Sequence, residues 1–124
     1  MKEVGRFNVS REQLDAIFTE GHNGIAINTM VDKTINIAGF VLYDMEEDNA
    51  KQIKIIDDAG RDYYTGSQVF IKNLIIYLQS KNDDEFPVTI TVKEAESKKG
   101  RKYLTIEEAI GSDGNNDGWR NVKF

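Results

Sequence analysis

The feature that most constrains this 124-residue chain is a pair of alternating segments on either side of a glycine-containing turn. Apolar and polar residues alternate over 88–93 and again over 103–106. If residues 98–100 form a three-residue loop with its glycine in the left-handed region, Val92 faces Ile106 across the turn. Apolar residues then face apolar residues, as a fixed register requires. The sequence therefore predicts an antiparallel β-hairpin with one buried face and one exposed face.

Two helices are predicted upstream of this hairpin. Ser10 and Gln13 have the spacing of a capping box, which predicts a short N-terminal helix over about 10–20. Residues 69–78 are apolar over most of a helix circumference, a composition typical of a helix buried against a sheet. We expect this second helix to end near Ser80.

Three strands are predicted before the second helix. Residues 25–29 alternate, and residues 51–56 form a short β-branched run. Between them, residues 34–44 form a β-branched and aromatic run that only a strand accommodates, bent or bulged at Gly39. Extended structure resumes at 62–64, before the helix.

The order of these elements from Gly24 is strand, strand, strand, helix, strand, strand. This is the order of a five-stranded OB-type barrel. The expected fold class is mainly β (α+β), an OB-fold-like barrel or curved antiparallel sheet with a helix between strands 3 and 4 and an extra N-terminal helix. An open sheet covered by one helix is the alternative. Residues 1–110 are expected to form the single domain and residues 111–124 a disordered acidic tail.

The sequence contains few candidate residues for a catalytic or metal-binding site. The chain has no cysteine, and its one histidine, His22, lies in a predicted loop, so no nucleophile, base and oxyanion donor assemble. Residues 113–118 match the first six positions of a calcium-binding loop, but the twelfth, Phe124, is not the required glutamate. We therefore expect a protein that is not an enzyme and has neither cofactor nor metal.

Targeting segments are not expected either. The first ten residues lack the apolar stretch of a signal peptide, and no apolar run approaches the roughly 20 residues of a membrane span. The sequence predicts a cytoplasmic protein with no membrane partner.

The distribution of charge is more informative than its sum. The net charge of −5 argues against a uniformly basic nucleic-acid coat. Residues 93–102, however, carry five basic and two acidic side chains, a net +3, which leaves −8 on the rest of the chain. A basic hairpin is therefore expected to project from an acidic body.

The exposed face of the hairpin has the composition of a single-strand binder. Cations neutralise phosphates and an aromatic ring stacks a base of any identity. The register places on this face Lys93, Ala95, Ser97, Arg101, Tyr103 and Thr105. The turn adds Lys98 and Lys99, and the basic stretch also contains Lys102. Further stacking candidates on neighbouring strands are Tyr63, Tyr64, Phe40 and Tyr43. The alternative is that the lysines are ordinary solvated turn residues and the tyrosines half-buried packing.

About half of the chain resembles a known family. Residues 58–67, the apolar helix, the strand at 88–93 and the Ser-Lys-Lys-Gly hairpin at 97–106 resemble the small single-stranded DNA-binding proteins of phages and mobile elements of Gram-positive bacteria. These include the proteins of phages with protein-primed replication. The resemblance implies an OB-like module that binds single-stranded DNA without sequence preference. By matching positions it implies contacts on Lys98, Lys99, Arg101 and Tyr103, and also on Tyr63 and Tyr64.

The two ends of the chain lie outside that match. The N-terminal helix is open to two roles, self-association or closure of the barrel end. The C-terminal tail resembles the acidic, phenylalanine-ended tails through which single-strand binders recruit replication enzymes. Its candidate partner-binding residues are Asp113, Asp117, Trp119 and Phe124, although Arg120 and Lys123 dilute its charge. A plain disordered terminus is the alternative.

The function expected from these observations is non-sequence-specific single-stranded DNA binding in phage or mobile-element DNA replication or recombination. Tight coating of a strand then requires several copies side by side, because only one local strip is basic. The alternative, based on the −8 outside the hairpin, is an acidic protein-interaction module that imitates DNA and inhibits a host DNA-processing enzyme.

Overall fold

The computed structural model describes residues 2–19, 24–44 and 50–109. Within these ranges the chain forms seven strands and two α-helices. In chain order they are β1 (Lys2–Phe7), α1 (Arg11–Ile17), β2 (Ile25–Ala26), β3 (Thr34–Asp44), β4 (Lys51–Asp57), β5 (Asp62–Thr65), α2 (Gln68–Gln79), β6 (Val88–Glu96) and β7 (Lys102–Ile106). Short 3-10 turns follow β2, α2 and β7.

The strands form a strongly curled mixed sheet, with two helices, in a mainly β fold. The strand order is β2-β5-β4-β3-β6-β7, and β1 pairs with β3 beside this path. The pair β2–β5 is parallel and the other pairs are antiparallel. Because β4 holds one edge of β3, the strands β6 and β1 share the other edge, at Thr34–Ile37 and Phe40–Asp44 respectively. This long central strand therefore organises the whole sheet.

Gly39 allows β3 to change partners. The register of β3 against β4 shifts between Ile37 and Gly39, so the predicted bulge is confirmed. A Cβ atom at this position would lie 2.7 Å from the carbonyl oxygen of Asn8 and 2.8 Å from that of Phe7. Only glycine allows the β1 backbone to approach β3 this closely.

We expect Gly39→Ala to lower the free energy of unfolding by about 2 kcal/mol, because the added methyl group must displace backbone atoms. Urea denaturation measures this change. The matched control is Gly66→Ala, since a Cβ atom at Gly66 has no neighbour within 4 Å. Equal stability of the two variants would contradict the close approach.

One face of the sheet packs against α2 and forms the main core. Ser67 caps α2 by accepting a hydrogen bond from the amide of Phe70, and the helix buries its apolar side on the sheet. The core consists of Ile27, Ile35, Ile37, Leu42, Ile53, Ile55, Tyr63, Phe70, Ile71, Leu74, Ile75, Leu78, Val88, Ile90, Val92 and Ile106.

The opposite face of the sheet is covered by the N-terminal segment. Val41 and Tyr43 alternate with core residue Leu42, so their side chains point away from α2, yet both are buried. The predicted capping box of α1 is present, and Ile17 is its buried residue. The ring of Phe18 meets Tyr43 edge-on at 5.2 Å between centroids. Phe18, at the C-terminal end of α1, therefore packs on the face of the sheet opposite α2.

Several features of the predicted fold need correction. The sequence predicts five strands, but the described residues form seven, because β1 and β5 also pair into the sheet. The helix α2 follows the additional strand β5 and precedes β6, and the parallel pair β2–β5 makes the sheet mixed, not purely antiparallel. Of residues 25–29 only Ile25–Ala26 are a strand, and α1 ends at Ile17, not near residue 20.

The predictions for His22, the calcium-loop motif and the tail fall outside the described residues. The tail residues concerned are Asp113, Asp117, Trp119 and Phe124. Of the helices in the described ranges, none is long and apolar enough to cross a membrane.

Candidate nucleic-acid interface

The predicted hairpin register is confirmed. Val92 faces Ile106 and Lys93 faces Thr105, and the pairing continues to Glu96 and Lys102. The loop closes through hydrogen bonds from the amide of Ser97 to the carbonyl of Arg101 (2.8 Å) and from the amide of Gly100 to the carbonyl of Ser97 (2.9 Å). Gly100 has φ +80°, the left-handed conformation that a three-residue loop requires.

The tip of the hairpin presents three cations to solvent. Lys98, Lys99 and Arg101 are exposed, and none of them forms an ion pair with a carboxylate of the described residues. We define these three side chains as the hairpin tip. Their charge is available to an anionic ligand.

The other two cations of residues 93–102, Lys93 and Lys102, form ion pairs with carboxylates. The ammonium group of Lys93 lies 2.9 Å from a carboxylate oxygen of Asp32. The hydrogen bond and the charge of Asp32 raise the pKa of Lys93 above its usual value. Lys102 lies 3.8 Å from Glu94 in a looser, exposed pair. The positive field is therefore strongest at the hairpin tip and weakens toward the base of the strands.

Tyr103 lies on the same hairpin face as Arg101 and is half-buried. The residue directly opposite on β6 is Ala95, whose small side chain covers little of the ring. Thr105, also predicted on the open face, is buried and accepts a hydrogen bond of 2.8 Å from Asn73 of α2. The open part of this face thus extends from the tip to Tyr103 and ends there.

Tyr63 is not available for stacking, which corrects the sequence prediction. Its side chain is only 3% exposed and belongs to the main core. Its hydroxyl group donates a hydrogen bond of 2.8 Å to the buried carboxylate of Asp57. That carboxylate also accepts hydrogen bonds from the amides of Ala59 and Arg61 and from the Arg61 guanidinium. Tyr63 therefore helps to fix the turn between β4 and β5.

Burial alone would raise the pKa of Asp57, but these hydrogen bonds together hold it below its usual value. The stabilisation is fully present above the unfolded pKa, about 3.9, and is lost as the pH falls through the folded pKa. We expect Asp57→Asn to lower the free energy of unfolding at pH 7 by about 2 kcal/mol and to flatten its dependence on pH below about 4. Urea titrations from pH 7 to 2 measure both effects, with exposed Asp58→Asn as the control. If the free energy of unfolding of Asp57→Asn depended on pH below about 4 as steeply as that of the wild type, this assignment would be contradicted.

A second aromatic and basic cluster lies on the sheet face beneath the N-terminal segment. The ammonium group of Lys54 lies 5.6 Å from the ring centroids of both Phe18 and Tyr64. It also lies 3.9 Å from a carboxylate oxygen of Asp62. Lys54 is not among the residues predicted from the sequence, although its position between Ile53 and Ile55 places it opposite the main core.

The remaining stacking candidates are also engaged. Tyr43 is buried, and its hydroxyl group donates a hydrogen bond to Gln52. Burial raises the pKa of Tyr43 to about 12. Phe40 packs against Phe7 of β1, with 5.9 Å between ring centroids. Tyr64 is half-buried beside Lys54. Of the predicted aromatic residues, Tyr103 is therefore the one that shares a surface with the hairpin tip.

An apolar groove of about 370 Å³ lies between β1 and the C-terminal half of α2. Phe7, Phe40 and Phe86 line it, and Arg6 and Lys81 lie beside them. It was not foreseen from the sequence, because β1 itself was not predicted. Among the described residues no group of histidine, aspartate and glutamate side chains could hold a metal ion.

Comparison of the chain with protein-family models, with curated proteins and with solved structures finds no match.

Proposed function

We propose that this protein binds single-stranded DNA without sequence preference through its β6–β7 hairpin, in phage or mobile-element DNA replication or recombination. The observation that carries the proposal is the combination, on one hairpin, of a tip with three exposed cations and an aromatic ring two residues further along the same face. The cations neutralise phosphates, and Tyr103 stacks a base of any identity. Neither contact reads a base edge, so binding is independent of sequence.

The connectivity of the sheet supports an OB-like architecture for this function. Counted from β3, the order is strand, strand, strand, helix, strand, strand. The hairpin loop is then the connection between the fourth and fifth strands, one of the two loops with which OB-folds bind oligonucleotides. In the described residues β5 pairs with β2 and not with β7, so the sheet is curled but not closed.

The deciding experiment is a fluorescence-anisotropy titration of labelled oligo-dT with the purified full chain at low salt. We expect binding at micromolar protein and an affinity that falls steeply as salt increases. Equal affinity for oligo-dT and oligo-dC would support the absence of sequence preference. No binding at micromolar protein would refute the proposal.

The competing function is an acidic protein that imitates DNA, and the same titration separates the two. Its basis is the −8 carried outside the hairpin. A DNA mimic repels oligonucleotides at every salt concentration, whereas the proposed binder associates most tightly at low salt. Failure of oligo-dT to bind, together with inhibition of a purified DNA-processing enzyme, would favour the mimic.

A further inference from the structure

Phe18, the C-cap residue of α1, lies over a patch of the sheet with the composition of a single-strand contact: its ring meets Tyr43 edge-on at 5.2 Å and lies 5.6 Å from the ammonium group of Lys54. We define this patch, Tyr43, Lys54 and Tyr64, as the covered surface. It contains two aromatic rings and a cation on adjacent strands β3, β4 and β5. Aromatic rings beside a lysine are the groups that stack bases and neutralise phosphates.

We propose that α1 is a displaceable cover, and that single-stranded DNA captured by the hairpin moves it aside to reach the covered surface. This inference rests on the proposed function and deepens it. The hairpin supplies the first, electrostatic contact. The covered surface then supplies further stacking and one further phosphate contact once α1 has moved.

The cover is weakly held. It has seven residues, of which only Ile17 is buried, and a helix of this length is not stable by itself. The hydrogen bonds of its side chains and of its cap remain within the segment, joining Ser10 to Gln13 and Thr19 to Asp15. In the described ranges no hydrogen bond or ion pair joins residues 11–17 to the sheet. Elements held by so few contacts open at low free-energy cost.

The residue beneath the cover argues against a purely structural role. The side chain of Lys54 is only 12% exposed, and its carboxylate neighbour Asp62 lies at the rather long distance of 3.9 Å. Burying an ammonium group is costly, and an apolar side chain between two aromatic rings would pack with less penalty. A lysine at this position is explained if its charge serves a ligand when the cover is open.

Displacement of the cover has a thermodynamic consequence. When only a fraction of molecules is competent, the apparent affinity is reduced by that fraction. A change that weakens the closed form without touching the covered surface should therefore strengthen binding. The residue for this test is Ile17, which holds the cover but is not part of the covered surface.

The first experiment compares Ile17→Ala with Ile75→Ala in oligo-dT titrations. Both isoleucines lie in helices and are 7% exposed, so the substitutions are matched in chemistry and burial. Ile17→Ala should raise the affinity threefold or more, whereas Ile75→Ala, on the main-core side, should leave it within about twofold. An unchanged or lower affinity of Ile17→Ala would overturn the proposal. Thermal melts establish that both variants are folded.

The second experiment tests the covered surface through Lys54→Met, which keeps the length of the side chain and removes its charge. The logarithmic slope of affinity against salt should fall by roughly 0.7, the contribution of one phosphate contact on a single strand. A merely structural role would leave this slope unchanged, and an unchanged slope would refute the contact.

Hydrogen–deuterium exchange of the wild-type chain with saturating oligo-dT reports the motion directly. We expect the amides of residues 11–17 to lose protection while those of residues 96–102 gain it. Protection of the hairpin with unchanged or increased protection of α1 would overturn the cover and leave the proposed function intact. No change in either segment, with no binding in the titration, would refute the proposed function itself.

Discussion

Replacing Lys98, Lys99 and Arg101 together with serine should weaken binding to oligo-dT by roughly a hundredfold at 0.1 M salt. Each phosphate contact to a single strand contributes about 0.7 to the logarithmic salt dependence, so three contacts contribute about 2. The slope of affinity against salt should therefore fall by about 2, and the difference between the proteins should shrink as salt increases. Anisotropy titrations at four salt concentrations measure both quantities.

The control for this triple variant must remove the same charge elsewhere. Replacing Arg6, Lys72 and Lys81 with serine also changes the net charge from −5 to −8, but at sites in β1 and on or beside α2. If binding depends on local contacts, this control should keep nearly the wild-type slope. Equal slopes of wild type and hairpin variant would show that the tip does not contact phosphate. Equal losses in both variants would show that only net charge matters.

The hairpin could be predicted because its information is local. The alternation of Val92 and Ile106 and the glycine at position 100 lie within a short stretch of sequence, and each fixes the same register. The bulge at Gly39 and the capping box at Ser10 are local in the same sense. Such features depend on neighbouring residues and do not require knowledge of the tertiary structure.

The strand β1 could not be predicted, because its pairing is entirely non-local. Its segment contains Gly5 and charged residues, and Val4 is 41% exposed, so no alternation marks a buried face. The strand forms because β3 offers an unpaired edge beyond the bulge, more than thirty residues along the chain. The groove beside α2 depends on this strand and was missed for the same reason.

For Tyr63 and Tyr64, the sequence pattern does not show which side chain is exposed. Tyr63 and Tyr64 are neighbours in β5 and therefore lie on opposite faces of the sheet, but alternation does not say which face meets the core. The burial of Tyr63 is fixed by α2 and by its hydrogen bond to Asp57 across a turn. In the same way Lys93 is paired with Asp32, which lies 61 residues earlier in the chain. Availability of a side chain is a tertiary property.

Tyr103→Ala should weaken binding through loss of stacking, which contributes about 1–3 kcal/mol per base, or roughly five- to more than hundredfold in affinity. The structure favours this role for Tyr103 because the ring is only half-buried and faces the small side chain of Ala95. Since the substitution removes no charge, the salt slope should stay at the wild-type value. This result would separate stacking from the electrostatic contact of the hairpin tip.

Tyr103→Phe is the matched control, because it keeps the ring and removes only the hydroxyl group. If the ring stacks a base, the phenylalanine variant should bind oligo-dT within about twofold of wild type, while the alanine variant remains weak. Equal losses in both variants would assign the contact to the hydroxyl group and contradict stacking. An alanine variant with wild-type affinity would show that the strand passes the tip without reaching Tyr103. Circular dichroism of both variants checks that the hairpin keeps its fold, since Leu104 and Ile106 continue to anchor β7 on the main core.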